Sequence, residues 1–84
     1  MASFYIAGSF ARSRMARKVL EDAPIGTQVL LVPEPDNQFD SNAVKVMIGQ
    51  AHVGYVPVAM QHILPKQMPA VGTLGRNELV RLAA

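Results

Sequence analysis

Leu30-Leu31-Val32-Pro33-Glu34-Pro35-Asp36-Asn37-Gln38-Phe39-Asp40-Ser41-Asn42-Ala43-Val44-Lys45-Val46 is the stretch that decides the fold of this 84-residue chain. It passes from an apolar segment through a dense set of turn formers into a second apolar segment. The prolines fix φ, and Asp, Asn and Ser offer side-chain oxygens to nearby backbone amides, so the middle reads as a structured loop between two strands. The upstream strand begins at Thr27 and is apolar enough near Val32 to be buried on both sides at its end. Downstream, Ala43 to Ile48 forms a strand with Lys45 outward, Gly49-Gln50 makes a tight turn, and Ala51 to Val56 returns as the second arm of a β-hairpin.

Working outward, Phe4 to Gly8 is an aromatic and β-branched run that stops at glycine, a first strand. Ser13 to Asp22 changes period: Met15, Val19 and Leu20 fall near helical spacing, and arginine and lysine take the other face. Pro24 and Gly26 end this short helix. Pro57 opens a second short helix at the position where a missing amide costs nothing, Met60, Ile63 and Leu64 give it an apolar face, and Pro65 ends it. Met15, Met60 and Met68 read as core or interface filler. Pro69, Gly72 and Gly75 follow, and Glu78 to Ala84 fits either a closing strand or a C-terminal helical turn. The expectation is a mainly β chain with four to six strands and two short helices, a small OB-like β-barrel forming one domain over residues 1–84. A sandwich needs more strands.

Composition narrows the function. Half of the residues are hydrophobic and 17% are charged, a balance for a packed core rather than a disordered chain. With no cysteine, disulfides, thiolate metal sites and a cysteine nucleophile are excluded. No window reaches the roughly 20 apolar residues that span a bilayer, so a soluble, cytoplasmic product is expected. The net charge of +2 is mild, but Arg12, Arg14, Arg17 and Lys18 crowd together while Glu34, Asp36 and Asp40 gather in the loop.

Catalytic patterns are missing. No Gly-x-Ser-x-Gly occurs, and His52 and His62 have no nearby serine motif, so one partly packed and one surface histidine are expected. Gly72-Thr73-Leu74-Gly75-Arg76 is too short for a phosphate loop. In the acidic loop Gln38 takes a ligand position, Ser41 replaces the turn glycine and Met47 stands where calcium loops need glutamate. The expectation is a binding module, not an enzyme, with no cofactor and no metal.

The loop run quoted above, followed after the hairpin by Val53-Gly54-Tyr55-Val56-Pro57, closely resembles the HIRAN domain. That family's hallmark is a strand ending in Arg-Glu-Pro-x-Asn-Pro-Tyr-Asp-x-Asn-Ala-Ile-x-Val, then a hairpin into Ile-Gly-Tyr-Val-Pro. The resemblance covers Phe4 to Leu64, and the last twenty residues match poorly. It implies an OB-like barrel that grips the 3′-hydroxyl end of single-stranded DNA, in a family that supports remodelling of stalled replication forks.

Carried over residue by residue, the resemblance puts Asn37 and Asp40 at positions that receive the terminal sugar hydroxyl, and Phe39 at the loop tyrosine on which the last base stacks. A carboxylate accepts a hydrogen bond from a hydroxyl and repels a further phosphate. Phe10 matches an aromatic that covers the base from the other side, Arg12 follows it toward phosphate, and Tyr55 faces the nucleic-acid backbone. Asn42 braces the loop, and Asp36 is a further contact at a variable position. The chain departs from the pattern at Pro33, Gln38 and Val58, which lowers the positive charge near the site. Read as residues alone, the loop acids and amides are turn caps, Phe39 folds onto the core or faces solvent, Tyr55 is core or surface, and the basic cluster is a solvated helix face.

The leading expectation is a module for single-stranded DNA ends in repair or replication, acting with a helicase or nuclease chain. The alternatives are a protein-interaction adaptor that kept the barrel without end binding, and a small regulator that binds nucleotide or RNA.

Overall fold

The computed structural model describes residues 2–83. Six strands form one antiparallel sheet: β1 (Ser3–Tyr5), β2 (Gln28–Pro33), β3 (Val44–Ile48), β4 (Ala51–Tyr55), β5 (Ala70–Leu74) and β6 (Leu79–Leu82). Along the sheet they follow the order β1, β6, β5, β2, β3, β4. The sheet curls until its two edges meet: Ala7 N donates to Tyr55 O at 2.8 Å and Tyr55 N to Ala7 O at 2.9 Å. The result is the OB-like barrel expected, stitched shut between β1's extension and β4.

Gly54 makes that closure possible. A Cβ there would overlap the Ile6 side chain and lie 2.8 Å from the Ala7 carbonyl oxygen. The glycine of Gly-Tyr-Val-Pro is therefore a close-approach glycine, demanded by the neighbouring backbone. Gly72 plays the same part in β5, where a Cβ would lie 2.8 Å from the Val80 side chain and 2.9 Å from the Arg81 carbonyl oxygen.

Alternate residues of the strands fill the interior. Val29, Leu31, Val46 and Val80 are wholly buried, and Phe4 and Val53 nearly so. The second strand was expected to be buried on both faces at its end, but it alternates: Val29 and Leu31 point in, while Leu30 is exposed and Val32 half-buried. A barrel wall this thin has one dry side.

The helix α1 (Arg14–Asp22) lies against β4. Ser13 caps it, its Oγ accepting from Ala16 N at 3.1 Å. Its buried residues are Ala16 and Leu20, spaced four apart; Met15, expected as filler, is 80% exposed. Arg14 opens the helix and Glu21 and Asp22 close it, against the polarity that the helix dipole favours.

The second helix is a six-residue 3-10 turn, Val58–Ile63, with Pro57 before it as cap rather than as first helical residue. Met60 and Ile63, three apart, both pack toward the core, which suits three residues per turn. Leu64 is extended ahead of Pro65, as residues before proline prefer. Two further 3-10 turns span Ser9–Ala11 and Arg76–Glu78. The last twenty residues hold two strands. β5 was not foreseen, because Pro69, Gly72 and Gly75 read as breakers, and β6 resolves the open choice at the C-terminus in favour of a closing strand, paired with both β1 and β5. Among the described residues no helix is long and apolar enough to cross a membrane.

A candidate nucleic-acid interface at the loop between β2 and β3

The loop from Glu34 to Ala43 is tied at its base by Glu34 N donating to Ala43 O at 2.8 Å. Its shape comes from side chains bonding to main chain. Asn37 Oδ1 accepts from Phe39 N at 2.9 Å and from Asp40 N at 3.0 Å, and Asp40 Oδ1 accepts from Asn42 N at 2.9 Å. These bonds turn the chain sharply at Gln38 and Phe39 and push the Phe39 ring outward, 96% exposed. An aromatic ring standing clear of an ordered loop is offered to something other than the core.

Phe39 is one of the residues lining a pocket of about 550 Å3, walled by the loop and by Tyr55, Val56, Val58 and Gln61. Glu34, Asp36 and Asp40 line it, and no lysine or arginine does. Glu34 is its hub: Oε1 accepts from Asn37 Nδ2 at 2.7 Å and from the Tyr55 hydroxyl at 2.8 Å. The bond from Asn37, then that from Tyr55, hold the Glu34 carboxyl below its ordinary value of 4.5. Burial, then the bond to Glu34, push the Tyr55 phenol above 10.0. Gln61, from the 3-10 turn, donates its Nε2 to Asp40 Oδ2 at 2.8 Å, so the Asp40 carboxylate is held from both ends.

Acceptor capacity decides what the pocket can receive. Both lone pairs of Asn37 Oδ1 are spent on the loop, so Asn37 offers a ligand only its second amide hydrogen. Asp40 has used one acceptor site on each oxygen and keeps the others. A hydroxyl, which donates and accepts at once, suits that pair; a phosphate, which only accepts and carries charge, meets three carboxylates.

The structure gathers Asp36, Asn37, Phe39, Asp40 and Tyr55 around this one pocket; Asn42 lies outside its lining and enters the loop's bonding through its main-chain N–H, which donates to Asp40 Oδ1. Phe10 and Arg12 lie elsewhere. Phe10, 82% exposed, stands in the Ser9–Ala11 turn beside a separate hollow with Arg17 and Glu78. Arg12 leans on β4, its Nε donating to His52 O at 3.1 Å. Glu34 and Gln61 were not singled out in the sequence. Glu34 stood inside the quoted run without an assigned role, and nothing local marks Gln61, 21 positions from its partner.

His52 is half-buried and His62 exposed, as expected. His52 packs edge-on against Tyr55 with ring centroids 4.7 Å apart and its Nε2 is 2.9 Å from Gly54 O. Burial, then Arg12, lower its pKa from 6.5. Among the described residues no group of three or more His, Asp or Glu side chains could hold a metal ion.

Both depressed groups have the same consequence for stability. The unfolded chain takes up a proton more readily than the folded one, so their contribution is complete above the ordinary values and is lost as pH falls through the folded ones. Unfolding midpoints measured across acid pH should therefore decline below about 6.5 from His52 and again below about 4.5 from Glu34. Glu34→Gln should flatten the lower step only; an unchanged lower limb in that variant would assign it to another carboxylate.

A small closed antiparallel barrel with an ordered loop, an outward aromatic ring and an acceptor-rich pocket defines a binding module of the OB-like class. The model of the HIRAN domain matches residues 3–74, so the chain belongs to that family, DNA-binding modules of the kind that recognises DNA ends. No curated protein and no solved structure matches it.

Proposed function

We propose that this chain binds the 3′ end of single-stranded DNA in repair or replication, the terminal hydroxyl entering the pocket that Phe39 lines. The observation that carries the reading is the 96% exposed Phe39, which lines a pocket together with three carboxylates and no cation. The last base stacks on Phe39, the terminal hydroxyl donates to Asp40 and accepts from the Asn37 amide, and the carboxylates repel one more phosphate. Glu34, Gln61 and Tyr55 act through positioning, holding Asn37 and Asp40 in place before the ligand arrives.

Fluorescence anisotropy with single strands ending in a 3′-hydroxyl or a 3′-phosphate, and with a duplex carrying only a 5′ overhang, tests this. Exchanging one charge-assisted hydrogen bond for repulsion should weaken binding of the 3′-phosphate by roughly tenfold or more. Equal affinity for all three would reject end recognition. Binding to none, with a protein partner captured instead, would make the barrel an adaptor.

A further inference from the structure

We infer that the end pocket prefers a strand whose last sugar is ribose, with Asp40 offering one acceptor to each hydroxyl of the terminal 2′,3′-diol. This rests on the end-binding reading above and adds which sugar the pocket selects.

Counting donors against acceptors carries the inference. Asp40 Oδ1 takes the Asn42 amide at 2.9 Å, and Oδ2 takes Gln61 Nε2 at 2.8 Å. An ionised carboxylate has about four lone-pair sites, shared between its two oxygens, so each oxygen of Asp40 keeps one open. A deoxyribose terminus brings a single hydroxyl and fills one of them. The hydroxyls of a ribose terminus sit on adjacent carbons, spaced for the two oxygens of one carboxylate, and an acidic side chain bonded to a ribose hydroxyl recurs in dinucleotide-binding folds.

The rest of the lining tilts the same way. Glu34 and Asp36 add two more carboxylates. Glu34 spends Oε1 on Asn37 Nδ2 and on the Tyr55 hydroxyl, while Oε2 carries neither bond. Tyr55 has committed its one hydroxyl hydrogen to Glu34, and Asn37 and Gln61 have each committed one amide hydrogen, so acceptors are in surplus and donors are few. Such a site favours the ligand that brings one more donor, and a hydroxyl bonded to a carboxylate is among the stronger hydrogen bonds. Space is available as well: the pocket measures about 550 Å3, and an added hydroxyl takes less than the roughly 30 Å3 of one water molecule in the liquid. Both Asp40 oxygens are held before the ligand arrives, which leaves little ordering to be done on binding. The 2′-hydroxyl, donor and acceptor at once, is the group by which a protein tells the two sugars apart at a given position.

The test is fluorescence anisotropy with one 5′-labelled oligodeoxynucleotide in which only the last nucleotide varies: deoxyribose, ribose or 2′-O-methylribose, each with a free 3′-hydroxyl, and deoxyribose blocked by a 3′-phosphate. The ribose end should bind roughly tenfold tighter than the deoxyribose end, the gain from one further hydrogen bond to a charged acceptor. The 2′-O-methyl end keeps the oxygen but has no hydrogen to donate, and it should lose that gain. Asp40→Asn retains an oxygen for the Asn42 amide but puts an amide nitrogen in place of the second acceptor, so the ratio of ribose to deoxyribose affinity should fall close to one. The ligand series on the parent chain needs no variant, and a folding defect in Asp40→Asn would lower both affinities without changing their ratio. Equal affinity for ribose and deoxyribose ends, with the 3′-phosphate end still weak, would overturn the sugar preference and leave end recognition standing. A 2′-O-methyl end as tight as the ribose end would also overturn it, since the gain would then owe nothing to donation. Equal affinity for all four ends would remove end recognition and the preference with it.

Discussion

Phe39→Ala should lower affinity for a single-stranded 3′ end by roughly 5- to 150-fold, the range that corresponds to about 1–3 kcal/mol for stacking one base on an aromatic ring. The same change should leave thermal stability where it was. The ring is 96% exposed and covers none of the core, so its removal from the folded chain forfeits no burial. The loop does not depend on the ring for its shape either, because Asn37 bonds the main-chain amides of Phe39 and Asp40 whatever side chain stands at 39. Anisotropy and thermal melting on the same preparations read the two effects separately. Phe39→Tyr, which keeps the π-face, should bind as the parent does; a loss in that variant equal to the loss in alanine would argue against stacking.

Gly54→Ala should cost about 3 kcal/mol of stability, at the upper end for adding one methyl group to a packed site. The added Cβ meets a side chain, Ile6, and a backbone carbonyl, Ala7, that is itself bonded to Tyr55 N. A side chain can rotate away, whereas the carbonyl moves only if the bridge between the barrel's edges opens. For a domain of this size the midpoint should fall by more than about 10 °C, at roughly 4–8 °C for each kcal/mol. Gly75→Ala is the control: its nearest neighbours would lie at 3.5 Å and beyond, ordinary contact, and its effect should be small. DNA binding should weaken along with closure, because Tyr55 follows Gly54 directly and carries the hydroxyl that Glu34 holds.

The two positions show how one motif serves two purposes. Gly54 is required by the barrel and Tyr55 by the pocket, and they are adjacent because the closing bridge and the pocket wall are built from the same turn of β4. On the function proposed above, the loop acids and amides are likewise both caps and contacts. Asp40 uses part of its carboxylate to bond Asn42 N and Gln61 and retains the remainder for a ligand. Reading such residues as turn formers or as binding groups is not a choice between exclusive roles, since the hydrogen bonds that shape the loop also aim its spare acceptors.

The set Asp36, Asn37, Phe39, Asp40 and Tyr55 that meets at one pocket came from the family resemblance; from residue order alone came the β2–loop–β3–β4 unit and the helix beginning at Ser13. That unit and that helix were legible because they depend on neighbours in sequence: turn chemistry, alternation and a tight hairpin act over a few residues. The tertiary structure alone decided the rest. β5 and β6 become strands because β2 and β1 offer partners far away in the chain, overriding glycines and a proline that locally discourage pairing. Phe39 faces outward because its loop is tied across its base, Phe10 and Arg12 separate from the pocket because α1 packs against β4, and Gln61 reaches Asp40 because the barrel folds its 3-10 turn beneath the loop. Each of these depends on where distant segments come together, and short-range pattern carries no record of that distance.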